Sequence, residues 1–372
     1  MSQSCPVVRR RSSPAGRYAG HMEPVTHMLM GAVLARTGIN RRAAYATAAM
    51  VVAAEFPDVD FVWSFLGPVT GFLHHRGITH TFLAVPFEAA LLTGAVWWGH
   101  RFLKRPTQAP INWPWLYSGC LLALLSHLLL DWTNNYGVRP FFPFNPHWYA
   151  GSFVFIFEPV LFALLAGALL APGLFGLIGS EVGARRQHFR GRGWAVAALL
   201  GVAALYGFRW VQHERALQVA AQNGPPDTTR IFASPHPIDP FTWHIVADTP
   251  ASYQLSTVDT RQGLVLPAVP SDTLFKPPVA LPILAAKRSY LGRVYLDWSM
   301  YPVVTQAPAG DDPNHPLTEV TFADARFLFD ASFMKGRSNP PLTGTVTLDM
   351  AAPEGQRVVE MKMGDREQKS TD

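Results

Sequence analysis

Two carboxylates and three imidazoles lie close together in Phe56-Pro57-Asp58-Val59-Asp60 and His74-His75-Arg76-Gly77-Ile78-Thr79-His80. Carboxylate oxygen and imidazole nitrogen are the donors that hard and borderline divalent metals take. Both runs lie between strongly apolar segments, where an unpaired charge is costly and is usually kept for a task. The stretch reads as half of a metal site. Further along, His127-Leu128-Leu129-Leu130-Asp131 is an i, i+4 pair that sets an imidazole and a carboxylate on one helix face, able to share one ion.

Each cluster also has a plainer reading. Pro and Asp make turns and caps, an Asp at a helix end can face lipid headgroups, and a basic loop can lie solvated at an interface. An Asp-x-Asp pair points both carboxylates to one side only in extended backbone, which leaves one of Asp58 and Asp60 as the direct ligand and the other as ligand or general base. Gly77 permits a close turn and Thr79 can cap the next helix, so that His75 and His80 converge. His74 is the weakest of the three imidazoles. Arg76 is placed to bind a phosphate or a developing negative charge. His27 is a further candidate ligand. Glu158, near the mouth of an apolar segment, reads equally as ligand, general base or buried partner of Arg139 or Arg76. His147, His213, His236 and His244 have no companion pattern and are read as structural.

The elements that must position these residues are mostly apolar helices. Hydrophobic residues make up 49% of the 372 and charged residues 15%, and up to about residue 210 the apolar ones fall in long runs. A membrane span needs roughly 20 such residues. Thr81–Trp98, Trp115–Leu130, Phe153–Ile178 and Trp194–Trp210 are expected spans. The segments from Pro24 or Thr26 to Arg36 and from Ala43 to Ala54 are shorter, and suit a tilted or partly inserted helical hairpin. The net charge of +5 sits in short arginine clusters between apolar runs, a pattern of membrane orientation and not of nucleic-acid binding. Arg36–Arg42, Arg101–Arg105 and Arg185–Arg192 are expected on the cytoplasmic side, which puts every candidate ligand and the C-terminal region on the other. Arg9–Arg11 break that rule, and Met22 offers a second start, so residues 1–21 are read as a disordered tail or a start-site extension. Cys5 and Cys120 give no disulfide framework.

Beyond the last span, short alternating runs are punctuated by Pro, Gly and Asp. Phe241–Val246, Tyr253–Val258, Arg293–Leu296, Glu319–Phe322 and Thr343–Leu348 read as strands. The expected fold class is mainly α: a helical membrane domain over 22–211, then a small β-rich extracytoplasmic domain over 212–372.

Thr26-His27, Phe56-Pro57-Asp58-Val59-Asp60, His75-Arg76-Gly77-Ile78-Thr79-His80, Ser126-His127-Leu128-Leu129-Leu130-Asp131-Trp132 and Tyr136-Gly137 together resemble a bacterial inner-membrane family of membrane-bound metal-dependent hydrolases, one member of which is described as LexA-binding. The resemblance runs from about residue 22 to 210 and more weakly beyond. Thr81 stands where the family often has Ser, and Glu158 where it often has Asp before Pro. A weaker likeness, of ligand order alone, is to the zinc-dependent phospholipases C, with His27, Asp58 or Asp60, His80, and His127 with Asp131 in the corresponding order. The resemblance implies hydrolysis with a divalent metal, zinc being the expected ion. His27, Asp58, Asp60, His75, His80, His127 and Asp131 are the candidate ligands, and Asp58, Asp60, Arg76 and Glu158 the candidate catalytic groups. The expected partners are membrane lipid, a lipid-like or small-molecule substrate, and a protein partner at the C-terminal domain. Two rivals remain: a membrane protein with a structural or sensory metal site, and a transporter using intramembrane acids and histidines. Glu88 stands nearly alone at mid-span, which counts against the transporter.

Overall fold

A computed structural model describes residues 24–103, 106–181, 191–266, 272–310, 316–328 and 342–368. The expected tail at 1–21, the end of the basic loop at 101–105 and most of the one at 185–192 lie outside these.

Helix α1 (Pro24–Leu34) opens at Pro24, one of the two expected starts, and α2 (Ala46–Glu55) packs against it. Contact is close at Gly31, where a Cβ would clash with the Met50 carbonyl oxygen. That approach sets His27 of α1 beside the end of α2. A 3-10 helix (Phe56–Leu66) follows, then α3 (Pro68–His74), a 3-10 turn at Ile78–His80, and α4 (Val85–Leu103). Helix α5 (Trp113–Thr133) is capped by the Asn112 side chain, which accepts from the Trp115 N–H. Helices α6 (Pro159–Glu181) and α7 (Arg192–Asn223) complete the helical part.

Among the described residues, α5, α6 and α7 each contain a stretch long and apolar enough to cross a membrane, and Pro68–His80 with Val85–Phe102 forms a pair bent by 84° that also passes together. Two expected spans start later than hydropathy suggested. Thr81 Oγ1 accepts from the Ala84 N–H, holding a turn, and regular helix begins only at Val85. Phe153 and Val154 are buried in a loop against α7 and the first sheet, and α6 begins at Pro159, whose fixed φ suits a first helical position.

The C-terminal part holds two antiparallel sheets. The first runs β1 (Arg230–Pro235), β2 (Thr242–Asp248), β3 (Ser252–Asp259), β4 (Leu264–Val265), with β5 (Thr273–Phe275) on the far end of β3. The second is ordered β10-β9-β8-β7-β6, from β6 (Pro302–Ala309), β7 (Leu317–Asp324), β8 (Gly344–Asp349), β9 (Val358–Met363) and β10 (Arg366–Gln368). Helices α8 (Leu281–Arg288) and α9 (Tyr290–Trp298) join the sheets. Four of the five expected strands are present. The fifth, Arg293–Leu296, lies inside α9. Its buried residues Leu291, Val294, Tyr295 and Trp298 fall at i, i+3, i+4 and i+7, a helical stripe, and Ser289 caps the start by accepting from the Gly292 N–H.

The β region shares cores with the helical part. Leu291, Tyr295, Trp298, Phe322 and Val346 pack with Val69, Phe72, Tyr136 and Trp148. Ala216, Val219 and Ala220 of α7 pack with Ala233, Trp243 and Ile245 of the first sheet. Gln368 of β10 accepts from the Val69 N–H at 2.9 Å. Helix α7 runs unbroken past residue 212.

Candidate metal centre

His127 is fixed by backbone. Its Nδ1 lies 2.7 Å from the Ala54 carbonyl oxygen at the end of α2. A carbonyl only accepts, so Nδ1 carries the proton and the neutral ring presents a lone pair on Nε2. That Nε2 faces His80 Nε2 at 3.1 Å, Asp131 Oδ2 at 3.5 Å and Asp58 Oδ1 at 3.8 Å. His80 Nε2 in turn lies 3.2 Å from Asp58 Oδ1 and 3.4 Å from Asp131 Oδ2. The four residues can offer donor atoms all within 4.8 Å of one another. They come from the 3-10 helix, the turn before α4 and successive turns of α5.

The donor set fits a divalent cation. His80, His127 and Asp131 are completely buried, and Asp131 Oδ2 has no hydrogen-bond partner. A buried carboxylate oxygen left unpaired is expensive. One cation among two imidazole nitrogens and two carboxylates would satisfy all four groups at once. Asp58 alone has appreciable side-chain exposure, 16%. Burial pushes its carboxyl up, but the hydrogen bond to His80 and the nearby His127 and His80 outweigh that and hold it below the usual carboxylate range.

Asp60 faces differently from Asp58. Two residues along a 3-10 helix are about two-thirds of a turn apart, so the two carboxylates leave the helix in different directions, with one oxygen of each still within 4.8 Å of the other. Asp60 Oδ2 accepts from the Arg76 N–H at 2.7 Å and lies 3.4 Å from His80 Nδ1. Asp60 therefore stands behind His80, where a carboxylate orients a ligating imidazole. Its Oδ1 is 3.4 Å from His75 Nδ1. The His75 ring packs on Tyr136, while His74 stacks on Trp63 and leaves the cluster. His27 stacks on His127 with ring centroids 4.0 Å apart, and its Nε2 is 3.6 Å from Asp131 Oδ1. Neither His27 nitrogen has a hydrogen-bond partner, which leaves the ring at the edge of the four-donor group and able to join it.

Two candidate catalytic side chains are engaged within the fold. Arg76, expected to hold an anionic substrate group, is buried and occupied within the fold. Its Nη2 bonds Asp131 Oδ1 at 2.8 Å, and its Nη1 donates to the Gly137 carbonyl at 2.8 Å and to Asp131 O and Asn134 Oδ1 at 3.3 Å. The guanidinium also lies over the Tyr136 ring. It braces Asp131. The turn that delivers it is tight: Arg76 has φ 52°, and a Cβ on Gly77 would meet the His74 carbonyl oxygen at 2.7 Å. Glu158 pairs with Arg209 of α7, and not with Arg76 or Arg139, the partners weighed for it. Arg139 bonds Asp297 and the Leu73 carbonyl instead.

Arg209 escaped the sequence reading, although a lone arginine in the apolar run Phe208-Arg209-Trp210 was a signal. Glu55 also escaped it. It directly precedes Phe56-Pro57-Asp58, and its Oε2 is buried without a hydrogen-bond partner. The β region holds the loop after Asp131: Arg326 Nη1 donates to the Asn135 carbonyl at 2.9 Å, Trp298 Nε1 to the Tyr136 carbonyl at 3.3 Å, and Asn135 Nδ2 to Ser234 Oγ at 3.0 Å.

Comparison with known proteins places these residues in a wider group. A family described as YdjM inner membrane protein matches residues 22–216, which contain the whole cluster. An uncharacterized protein of Bacillus subtilis (strain 168), YfhP, is 29% identical over 149 residues, covering 38% of this chain and 43% of that protein. The chain thus spans less than half the length of that curated relative. No solved structure matches.

Proposed function

Because this chain belongs to the YdjM inner membrane protein family, we propose that it is a membrane-bound metal-dependent hydrolase acting at the extracytoplasmic face of the bacterial inner membrane. The observation that carries the reading is the convergence of His80, His127, Asp131 and Asp58 with one member, Asp58, partly exposed. Catalytic metal sites keep a position open, whereas structural ones are closed by protein. An all-nitrogen and oxygen set of this size suits zinc, at ligand distances of about 2.0–2.2 Å.

A divalent ion held there would supply Lewis acidity to an ester or phosphoester oxygen and lower the pKa of a water. The protein's own groups do the rest. Ala54 O and Asp60 aim the His127 and His80 rings, and Arg76 fixes Asp131 and offsets its charge. The Asp58 carboxylate, the one part-exposed donor, marks the side from which water would reach the ion. Exposed apolar side chains on the segments that carry the site, among them Phe61, Phe65, Ile78 and Phe82, suit a substrate drawn from lipid. The short basic segment at Arg36–Arg42 and the basic loops favour the orientation with the site outside.

The test is turnover by purified protein in detergent and in phosphatidylglycerol vesicles, using bis(p-nitrophenyl) phosphate and a p-nitrophenyl ester. The reading predicts zinc-restored activity that EDTA and His127→Ala both abolish while the protein stays folded. Folded wild-type protein that holds metal but turns over neither probe nor the vesicle lipid would overturn it. A second reading, a structural or sensory metal with a partner on the β region, draws on the bonds from Arg326, Trp298 and Ser234 to the loop after Asp131. It predicts that ligand variants lose the fold itself.

A further inference from the structure

We propose that the centre is dinuclear: Asp58, Asp60 and His75 form a second cation position beside Asp58, His80, His127 and Asp131, with the Asp58 carboxylate bridging the two. This rests on the metal reading of the first cluster. The second group meets the same limit as the first, its donor atoms again falling within 4.8 Å of one another. Asp60 and His75 are 4% and 8% exposed, so the position is built into the interior of the fold. It shares one residue with the first group and adds two. His75 Nδ1 and Asp60 Oδ1 already face each other at 3.4 Å. Asp60 divides its oxygens: Oδ2 is held by the Arg76 N–H and faces His80, while Oδ1 is turned to the His75 side.

Charge points the same way for substrate. Asp58, Asp60 and Asp131 bring three negative charges and Arg76 one positive, a balance of −2 with neutral imidazoles. One divalent cation neutralises that balance. A second makes the centre cationic by about two charges, which favours an anionic group over a neutral one. Two-metal sites place their ions about 3.5–4 Å apart, within reach of one bridging carboxylate, and clamp the attacking and leaving oxygens of a displacement at phosphorus. The substrate class that fits is an anionic phosphoester, and a neutral carboxylic ester fits less well.

The competing role for Asp60 and His75 is a hydrogen-bonded brace behind His80, and metal counting separates the two. Full-length protein is dialysed against zinc in detergent, and bound metal is measured by plasma mass spectrometry, with folding followed by circular dichroism. The expected result is two equivalents in wild type and one in His75→Asn, whose amide keeps a hydrogen bond to Asp60. Manganese-loaded wild type should also show a spin-coupled electron paramagnetic resonance signal, which needs no variant. One equivalent in wild type, unchanged in His75→Asn, with an uncoupled manganese signal, overturns the dinuclear centre and leaves the mononuclear reading standing. No bound metal in wild type overturns both.

Discussion

Asp131→Asn changes charge at nearly constant volume, so cavity terms drop out of its effect. In the wild type Arg76 Nη2 meets Asp131 Oδ1 at 2.8 Å with both side chains about 1% exposed. Removing the negative partner strands a guanidinium in the interior, which costs about 3–5 kcal/mol. Three acceptors remain for Nη1, the carbonyls of Asp131 and Gly137 and the Asn134 side chain. The expected loss is therefore near the low end, about 3 kcal/mol. Unfolding in mixed dodecylmaltoside–SDS micelles with EDTA, followed by tryptophan fluorescence, measures the loss with no metal bound; Asp131 also lies 3.4 Å from His80, 3.5 Å from His127 and 3.6 Å from His27, so those imidazoles contribute to it as well. Zinc should then widen the gap. At 100 times the dissociation constant a ligand that binds only the folded state adds about 2.7 kcal/mol, and the variant, lacking one of its four donors, should gain little of it. Curves that coincide in EDTA would refute the brace assigned to Arg76. A gap that stays the same in zinc would refute Asp131 as a ligand.

Arg209→Met should destabilise by about 3–5 kcal/mol through the stranded Glu158 carboxylate, and Glu158→Gln in the same chain should recover most of it; zinc content should stay at the wild-type value in both, as metal analysis checks. Gly31→Ala places a Cβ against the Met50 carbonyl oxygen, so α1 and α2 must part; a loss of about 1–3 kcal/mol and weaker zinc binding in titrations are expected, because Ala54 and His27 both move. Burial, followed by the charge of His236, lowers the His244 pKa from 6.5 to about 4. The unfolded chain then binds a proton that the folded β region refuses, so this contribution is complete above pH 6.5 and falls as pH drops toward 4, with a slope of up to about 1.4 kcal/mol per unit. His244→Gln should flatten the unfolding free energy measured across that window.

Legibility followed the range of the interactions. Pro24 starting α1, the apolar core of α5 and the i, i+4 spacing of His127 and Asp131 are local features, and they could be read directly. His80, one of the candidate ligands, does meet the His127–Asp131 face, with its Nε2 3.1 Å from that of His127. That Asp58 and Asp60 face differently follows from the backbone between Phe56 and Leu66 being 3-10 and not extended, a choice that the Asp-x-Asp spacing leaves open. Arg76 looked free to bind substrate because its partners are Asp131, Asn134 and Gly137, more than 50 residues away. Glu158 and Arg209 are 51 residues apart on different helices, and no spacing rule joins them. Arg293–Leu296 reads as a strand because a four-residue window around Val294 and Tyr295 hides the eight-residue stripe from Leu291 to Trp298 that makes it a helix.

The most direct test of a metal centre at His80, His127, Asp131 and Asp58 is X-ray absorption spectroscopy of the zinc-loaded protein. The geometry predicts a nitrogen and oxygen shell at about 2.0–2.2 Å, outer scattering from at least two imidazoles, and loss of one imidazole contribution or of the metal in His127→Ala. A sulfur shell near 2.3 Å, which among the described residues only Cys120 and the methionines could supply, or a spectrum unchanged by His127→Ala, would contradict it.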